Sequence, residues 1–271
     1  MNSTLKTMAT ALLLMLFAVG CNKPDLPDEP EHSHNGHEYV DLGLPSGTLW
    51  ATCNLGAAVP EDFGDYYAWG ETVTKEIYDW KSYRYGNCLD GISEMTKYCS
   101  DPDWGLDGFS DTLTVLESMD DAATAQWGAG WRMATREEWL ELCQNTTGEW
   151  TEQNGVYGLR FTGDNGNSLF LPAAGYRDDG VVVAVALGIY WSSTLQTAMP
   201  MIAWSFHFTM DNWHVCGSYE RNRGQVVRAV VSGGNDAPES PNGFGMVGGS
   251  RIEGTIRPER PTANSPGQRP G

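Results

Sequence analysis

Cysteine thiolates and histidine imidazoles are the side chains best able to hold metals or attack substrates near neutral pH. The chain has six cysteines and five histidines, and their spacing does not build a familiar catalytic centre. Cys88 and Cys99 are spaced to close a short disulfide loop, while Cys53, beside Leu49, Trp50 and Ala51, reads as a buried free thiol. Setting Cys21 aside leaves an odd set (Cys53, Cys88, Cys99, Cys143 and Cys216), so the sequence does not fix the pairing. His32, His34 and His37 lie close together, but among prolines and acids with no second-shell support, so a polar linker is expected there rather than a metal site. His207 and His214 complete the set. No Ser-His-Asp spacing, phosphate-binding glycine loop or zinc motif is present, and the expectation is a protein with no catalytic residues. Asp101, Asp103, Asp107 and Asp111 form an acidic loop with oxygen ligands suited to calcium, but its twelfth position is Thr112 where an EF-hand needs Glu. A solvated loop is the expected reading, with calcium the alternative; no cofactor is required.

Cys21 carries a different chemistry. A weakly basic start with Lys6 leads into the apolar run of residues 7–19, which ends in Ala18, Val19, Gly20 and Cys21. A charged start, a short apolar stretch and small residues before a cut are the plan of an export signal. The cysteine directly after the small residues resembles the lipobox of bacterial lipoproteins. Cleavage before Cys21 and lipidation of its thiol are therefore expected, making residues 1–20 a signal peptide and the lipid a membrane anchor. Residues 21–35 follow as an acidic, proline-rich tether. Acids just after a lipidated cysteine resemble the surface-export signals of Bacteroidetes lipoproteins, which implies display on the outer membrane or cell surface. The net charge of −18, from 17 basic and 35 acidic residues, makes nucleic acid a poor partner.

The remainder divides at residues 36–232, rich in Trp, Tyr and Phe, and 233–271, a Gly/Pro/Ser-rich tail expected to be disordered. Within the domain, helices are expected over 113–127 and over 135–143, the second opening with Thr135 as N-cap and Glu138 three residues on. Residues 157–162 and 168–171 flank an Asn-Gly turn and read as a hairpin. Residues 181–185, 202–208 and 225–231 read as strands, with Trp204, Phe206 and Phe208 on the core side of the second and Trp204 taken as core.

A series of motifs runs in order through this domain. It opens with His37-Glu38-Tyr39-Val40-Asp41-Leu42-Gly43-Leu44-Pro45-Ser46-Gly47-Thr48-Leu49-Trp50-Ala51-Thr52 and continues with Gly64-Asp65-Tyr66-Tyr67-Ala68-Trp69-Gly70-Glu71-Thr72 and Asp120-Asp121-Ala122-Ala123. Gly130-Trp131-Arg132-Met133-Ala134-Thr135 with Glu138-Trp139, then Phe170-Leu171-Pro172-Ala173-Ala174-Gly175-Tyr176-Arg177, Tyr190-Trp191-Ser192-Ser193-Thr194 and Val226-Val227-Arg228-Ala229-Val230 complete it. The series resembles the Fibrobacter succinogenes major paralogous (FISUMP) domain, with Ala134 and Ala229 standing where that family usually has proline. The element around Arg132 to Trp139 is in turn similar to one in formylglycine-generating enzymes. The resemblance implies an α+β, C-type-lectin-like fold: a mixed twisted sheet, two helices and long loops. Trp50, Trp69, Trp131 and Trp191 are expected to pack its core.

Those enzymes use two nearby late cysteines to hold copper, and here that region offers only Cys216. A formylglycine-generating-type oxidoreductase with a relocated site therefore stays an alternative, as does a structural or adhesive part of a surface assembly. The leading expectation is a non-catalytic, surface-anchored binder of a glycan or partner protein. Residues 190–230 resemble the variable part of lectin-fold proteins diversified by retroelements, where a constant frame presents a replaceable face. On that resemblance the ligand-binding residues are Ser205, His207, Asp211, Asn212, Trp213, His214, Tyr219, Arg221 and Asn222.

Overall fold

Glu138 shows how local chemistry sets the frame. Its carboxylate accepts from the Thr135 N–H at 2.8 Å while the Thr135 hydroxyl accepts from the Glu138 N–H at 3.2 Å, closing a capping box. The same carboxylate takes both arms of the Arg132 guanidinium, at 2.5 and 2.6 Å, and the Thr48 hydroxyl at 3.2 Å. One side chain thus starts a helix and fastens it to two strands. The computed structural model describes residues 32–89, 92–183 and 186–233, with the backbone alone at 87–89, 92–93 and 213–216. Two α-helices stand among them, α1 (Ala122–Trp127) and α2 (Arg136–Gln144), in an α+β protein built mostly from short strands.

One sheet runs in the order Ser33–His34, His37–Val40, Thr48–Ala51, Ala229–Ser232, Arg132–Met133, all antiparallel. A second runs Trp213–Glu220, Ile202–Phe208, Gly188–Leu195, Gln225–Val226, Tyr66–Tyr67. It is mixed, because Tyr190 and Val226 pair in parallel. Thr146–Gln153, Val156–Gly163 and Ser168–Pro172 form a three-stranded meander, and the expected hairpin is its second half, with Ser168 opposite Thr162. Hairpins of Gly86–Leu89 with Ile92–Met95 and of Tyr176–Asp178 with Val181–Val183 complete the set.

Three expectations need correction. The helix over 113–127 is only α1. Residues before it are extended, because Val115 bridges to Thr194, Leu116 N–H donates to Ser193 and Leu195 N–H donates to Thr114. Helix starts only after Asp121, whose carboxylate accepts from the N–H groups of Ala123 and Thr124. The expected strand 225–231 is two strands in two sheets, divided at Val227 and Arg228. Part of the expected tether is ordered into a strand, since Ser33–His34 pairs with His37–Glu38 and Tyr39 N–H donates to the His32 carbonyl. Three expectations lie outside the described residues: the signal peptide with Cys21, most of the tether, and all but the first residue of the tail.

The interior is dominated by Trp50, Trp69, Trp131, Trp139 and Trp191, each no more than 1% exposed. A buried indole removes on the order of 200 Å² from water, roughly 5 kcal/mol of gross stabilisation at 25 cal/mol per Å². Trp139 of α2 stacks on Phe206 at 4.7 Å and tilts against Trp50 at 4.6 Å, so it joins the two large sheets. Its indole N–H and that of Trp191 donate to the carbonyls of Trp191 and Tyr67. Arg228 is fully buried and donates to Asn54 and to the carbonyls of Ala51 and Thr52. Much of the motif series is therefore structural framework.

Candidate ligand-binding face

Ile202–Phe208 keeps the alternation expected of it. Trp204, Phe206 and Phe208 point to the α2 side, with Phe206 and Phe208 buried. Trp204 is half-buried at the margin rather than in the core, beneath the Arg136 guanidinium at 4.5 Å. The opposite row is Ala203, Ser205 and His207. The outer strand Trp213–Glu220 carries a bulge: Ser205 pairs with Gly217 but His207 with His214, three steps against two. Gly217 is needed there, because a Cβ would come within 2.2 Å of the His207 ring.

Ser205 Oγ and His207 Nε2 are 2.8 Å apart, the separation of a nucleophile and its base. Ser205 is 1% exposed, however, so its oxygen is closed to a substrate and the contact seats the imidazole. The His207 ring meets Tyr219 edge-on at 5.1 Å, and Tyr219 meets Tyr176 at 5.1 Å. Burial, with Tyr176 beside it, pushes the Tyr219 phenol up. His207, Tyr219 and Tyr176 are all half-buried, so this aromatic row keeps an open margin. At its end the chain turns through Thr209–Asn212, with Met210, Asp211 and Asn212 exposed and Thr209 N–H donating to the Asn212 carbonyl at 2.7 Å. Trp213 and His214 follow on the outer strand; their side chains lie outside the described residues.

Arg221 and Asn222 do not belong to this face. Arg221 is fully buried and donates from Nε to the Tyr83 hydroxyl at 2.8 Å and from its terminal nitrogens to the carbonyls of Pro200, Lys97 and Tyr98 at 2.8, 3.0 and 3.1 Å. Rings of Trp69, Tyr83 and Tyr98 surround it at 4.8–5.8 Å. A planar fork of donors can be satisfied by carbonyls and π faces without a carboxylate, which is what permits this burial. Asn222, 3% exposed, donates to the Tyr78 carbonyl. Tyr98 holds its carbonyl toward Arg221 from a left-handed backbone, φ 56°, which costs a bulky residue on the order of 1–3 kcal/mol.

The acidic loop is put to structural use. Asp111 accepts from the N–H groups of Tyr98, Cys99 and Leu113, fixing the strained turn, and Asp101 accepts from Asp103 N–H to cap a short 3-10 turn. Asp103 and Asp107 are exposed. Among the described residues no three His, Cys, Asp or Glu side chains gather to hold a metal ion. His34 instead bonds the Ala129 carbonyl and His37 stacks on Trp127 at 4.0 Å. The Cys88–Cys99 disulfide is not formed: Cys99 is a buried free thiol placed against the Asp101 carbonyl. Burial pushes that thiol up. Cys53 is free as expected but half-buried.

The sequence pointed to Tyr176 only as part of a motif and not to the ionic network around Asp120. Asp120, 3% exposed, accepts from Lys97 at 2.5 Å, from the Tyr98 hydroxyl at 2.7 Å and from the Tyr85 hydroxyl. Burial pushes its carboxyl up, yet these three donors outweigh burial and hold it below the usual range. The Asp120-Asp121 pair in the motif series was the available signal, one carboxylate for this network and one for the α1 cap. Comparison with protein-family models, with curated proteins and with solved structures finds no match to this chain.

Proposed function

We propose that this chain is a lipid-anchored surface protein whose FISUMP-type, C-type-lectin-like domain binds a glycan without catalysing a reaction on it. The observation that carries this reading is the half-open row His207–Tyr219–Tyr176, with the exposed turn Met210–Asn212 leading into the outer strand. Tyrosines present a rigid apolar face and a polar tip, which suits stacking on sugar C–H groups while bonding hydroxyls. Asp211 and Asn212, in the turn that follows Phe208, carry acceptors and an amide donor. The lectin-like assignment is supported by two helices, a mixed sheet and long irregular segments, and by motif residues that work as frame rather than as reacting groups. The anchor rests on the residues leading to Cys21.

A broad glycan array, probed with the full chain in calcium and again in chelator, tests this directly. Saturable binding to a defined glycan class is expected in both conditions, because Asp101 and Asp111 are engaged by backbone N–H groups. Silence from a folded sample across the array would sink the glycan reading.

A further inference from the structure

A second site lies apart from the aromatic row. A cleft of about 350 Å³ is bounded by Asp65, Tyr66, Lys75, Glu76, Tyr78 and Arg177, within the roughly 300–1,000 Å³ of small-molecule pockets. Arg177 is built into it. Its backbone is fastened in both directions to Gly224, at 2.6 and 2.9 Å, and its guanidinium lies over the Tyr66 ring at 5.5 Å. Gly224 has to be glycine, since a Cβ would come within 2.8 Å of the Tyr78 ring. The Arg177 Nε is wholly buried and has no hydrogen-bond partner. Among the described residues Arg177 has no carboxylate within ion-pair distance, whereas nearby Arg223 pairs with both Asp178 and Glu220.

The other charges around the cleft divide in a telling way. Lys75 is occupied, donating to Glu71 at 2.9 Å and to the Ser82 carbonyl at 3.1 Å. Asp65 and Glu76 are exposed and stand in no ion pair among the described residues; Asp65 accepts only a long bond from the Tyr67 hydroxyl. One unneutralised guanidinium and two unneutralised carboxylates therefore line one polar cleft without meeting each other.

We infer that this cleft binds a small zwitterion, a free amino acid, with its carboxylate on Arg177 and its ammonium between Asp65 and Glu76. The guanidinium fork matches a carboxylate in geometry and charge. A simple anion would leave both acids uncompensated and would approach against a chain of net charge −18. A simple cation would leave Arg177 unpaired. A zwitterion carries no net charge and satisfies both ends. This site does not depend on the glycan face and stands or falls without it.

The test is calorimetric titration of the full chain with the proteinogenic amino acids, each beside its carboxamide and its N-acetyl derivative. At least one amino acid is expected to bind saturably, with both single-charge derivatives weaker by roughly ten-fold or more, as loss of one charge-assisted contact implies. Arg177→Gln is expected to weaken binding by a similar factor. Glu76→Gln, an exposed change that leaves the fold intact, is expected to weaken it too, though less. No saturable binding up to about 10 mM, which would put any affinity beyond the weakest specific range, overturns the proposal. So does equal binding of a carboxamide, or undiminished affinity in folded Glu76→Gln.

Discussion

Arg221 and Arg223 sit two positions apart and do opposite work. Arg221 is enclosed by aromatic rings and carbonyls, while Arg223 lies in partly exposed pairs with Glu220 and Asp178. Arg221→Met would leave two buried carbonyls, a partly buried one and the Tyr83 hydroxyl without their donor. We expect a loss of about 3–5 kcal/mol, in the range seen when a buried charged partner is removed. Arg223→Met should cost no more than about 1 kcal/mol, as partly exposed pairs contribute little. Urea midpoints of the two variants check the contrast, and equal losses would contradict it. The sequence could not separate them, because Arg-Asn-Arg reads as a polar loop until Trp69, Tyr83 and Tyr98 arrive from far along the chain. Ser205 and His207 were legible as neighbours on one strand face; that the serine is sealed was not, since its cover comes from other segments.

Elements defined by local chemistry were readable, and those defined by distant pairing were not. α2 could be placed from Thr135 and Glu138 alone, because a capping box satisfies donors only three residues apart. Thr135→Ala should therefore cost about 1 kcal/mol, within the 0.5–2 kcal/mol range of N-cap losses. A lowered urea midpoint with unchanged slope is the readout, and an unchanged midpoint would mean that the cap contributes nothing. Leu113 to Glu117 misled because its apolar residues fit a helix, yet hydrogen bonds to residues 193–195 hold it extended. The division of 225–231 between two sheets was equally hidden. It depends on a parallel partner at Tyr190 and an antiparallel one at Trp50, both far away in sequence.

At the scale of the whole molecule, buried carboxylates tie stability to pH. Burial raises Glu138, as it does Asp120, but Arg132 and the Thr135 cap outweigh it and hold the carboxyl below its usual range. A depressed folded pKa gives stability that is complete above the ordinary carboxyl value near 4 and lost as pH falls through the lower folded value. Asp121, raised by burial despite three backbone donors, works in the opposite direction, favouring the fold as pH drops. With two groups against one, the urea midpoint should fall as pH is lowered from about 5 toward 2. Asp120→Asn should flatten that decline, and an undiminished slope would show that the Lys97–Asp120 network is not its source.

On the proposed function, ligand contact is made at the His207–Tyr219–Tyr176 row. Titrating a glycan identified on the array against the full chain, against Tyr219→Ala and against Tyr157→Ala checks this contact. Tyr157 is 55% exposed on the three-stranded meander, outside the aromatic row, and serves as control. A loss of roughly ten-fold or more in affinity is expected for Tyr219→Ala, the scale of an aromatic contact at a binding hot spot, and wild-type affinity for Tyr157→Ala. Full affinity in a folded Tyr219→Ala variant would contradict it.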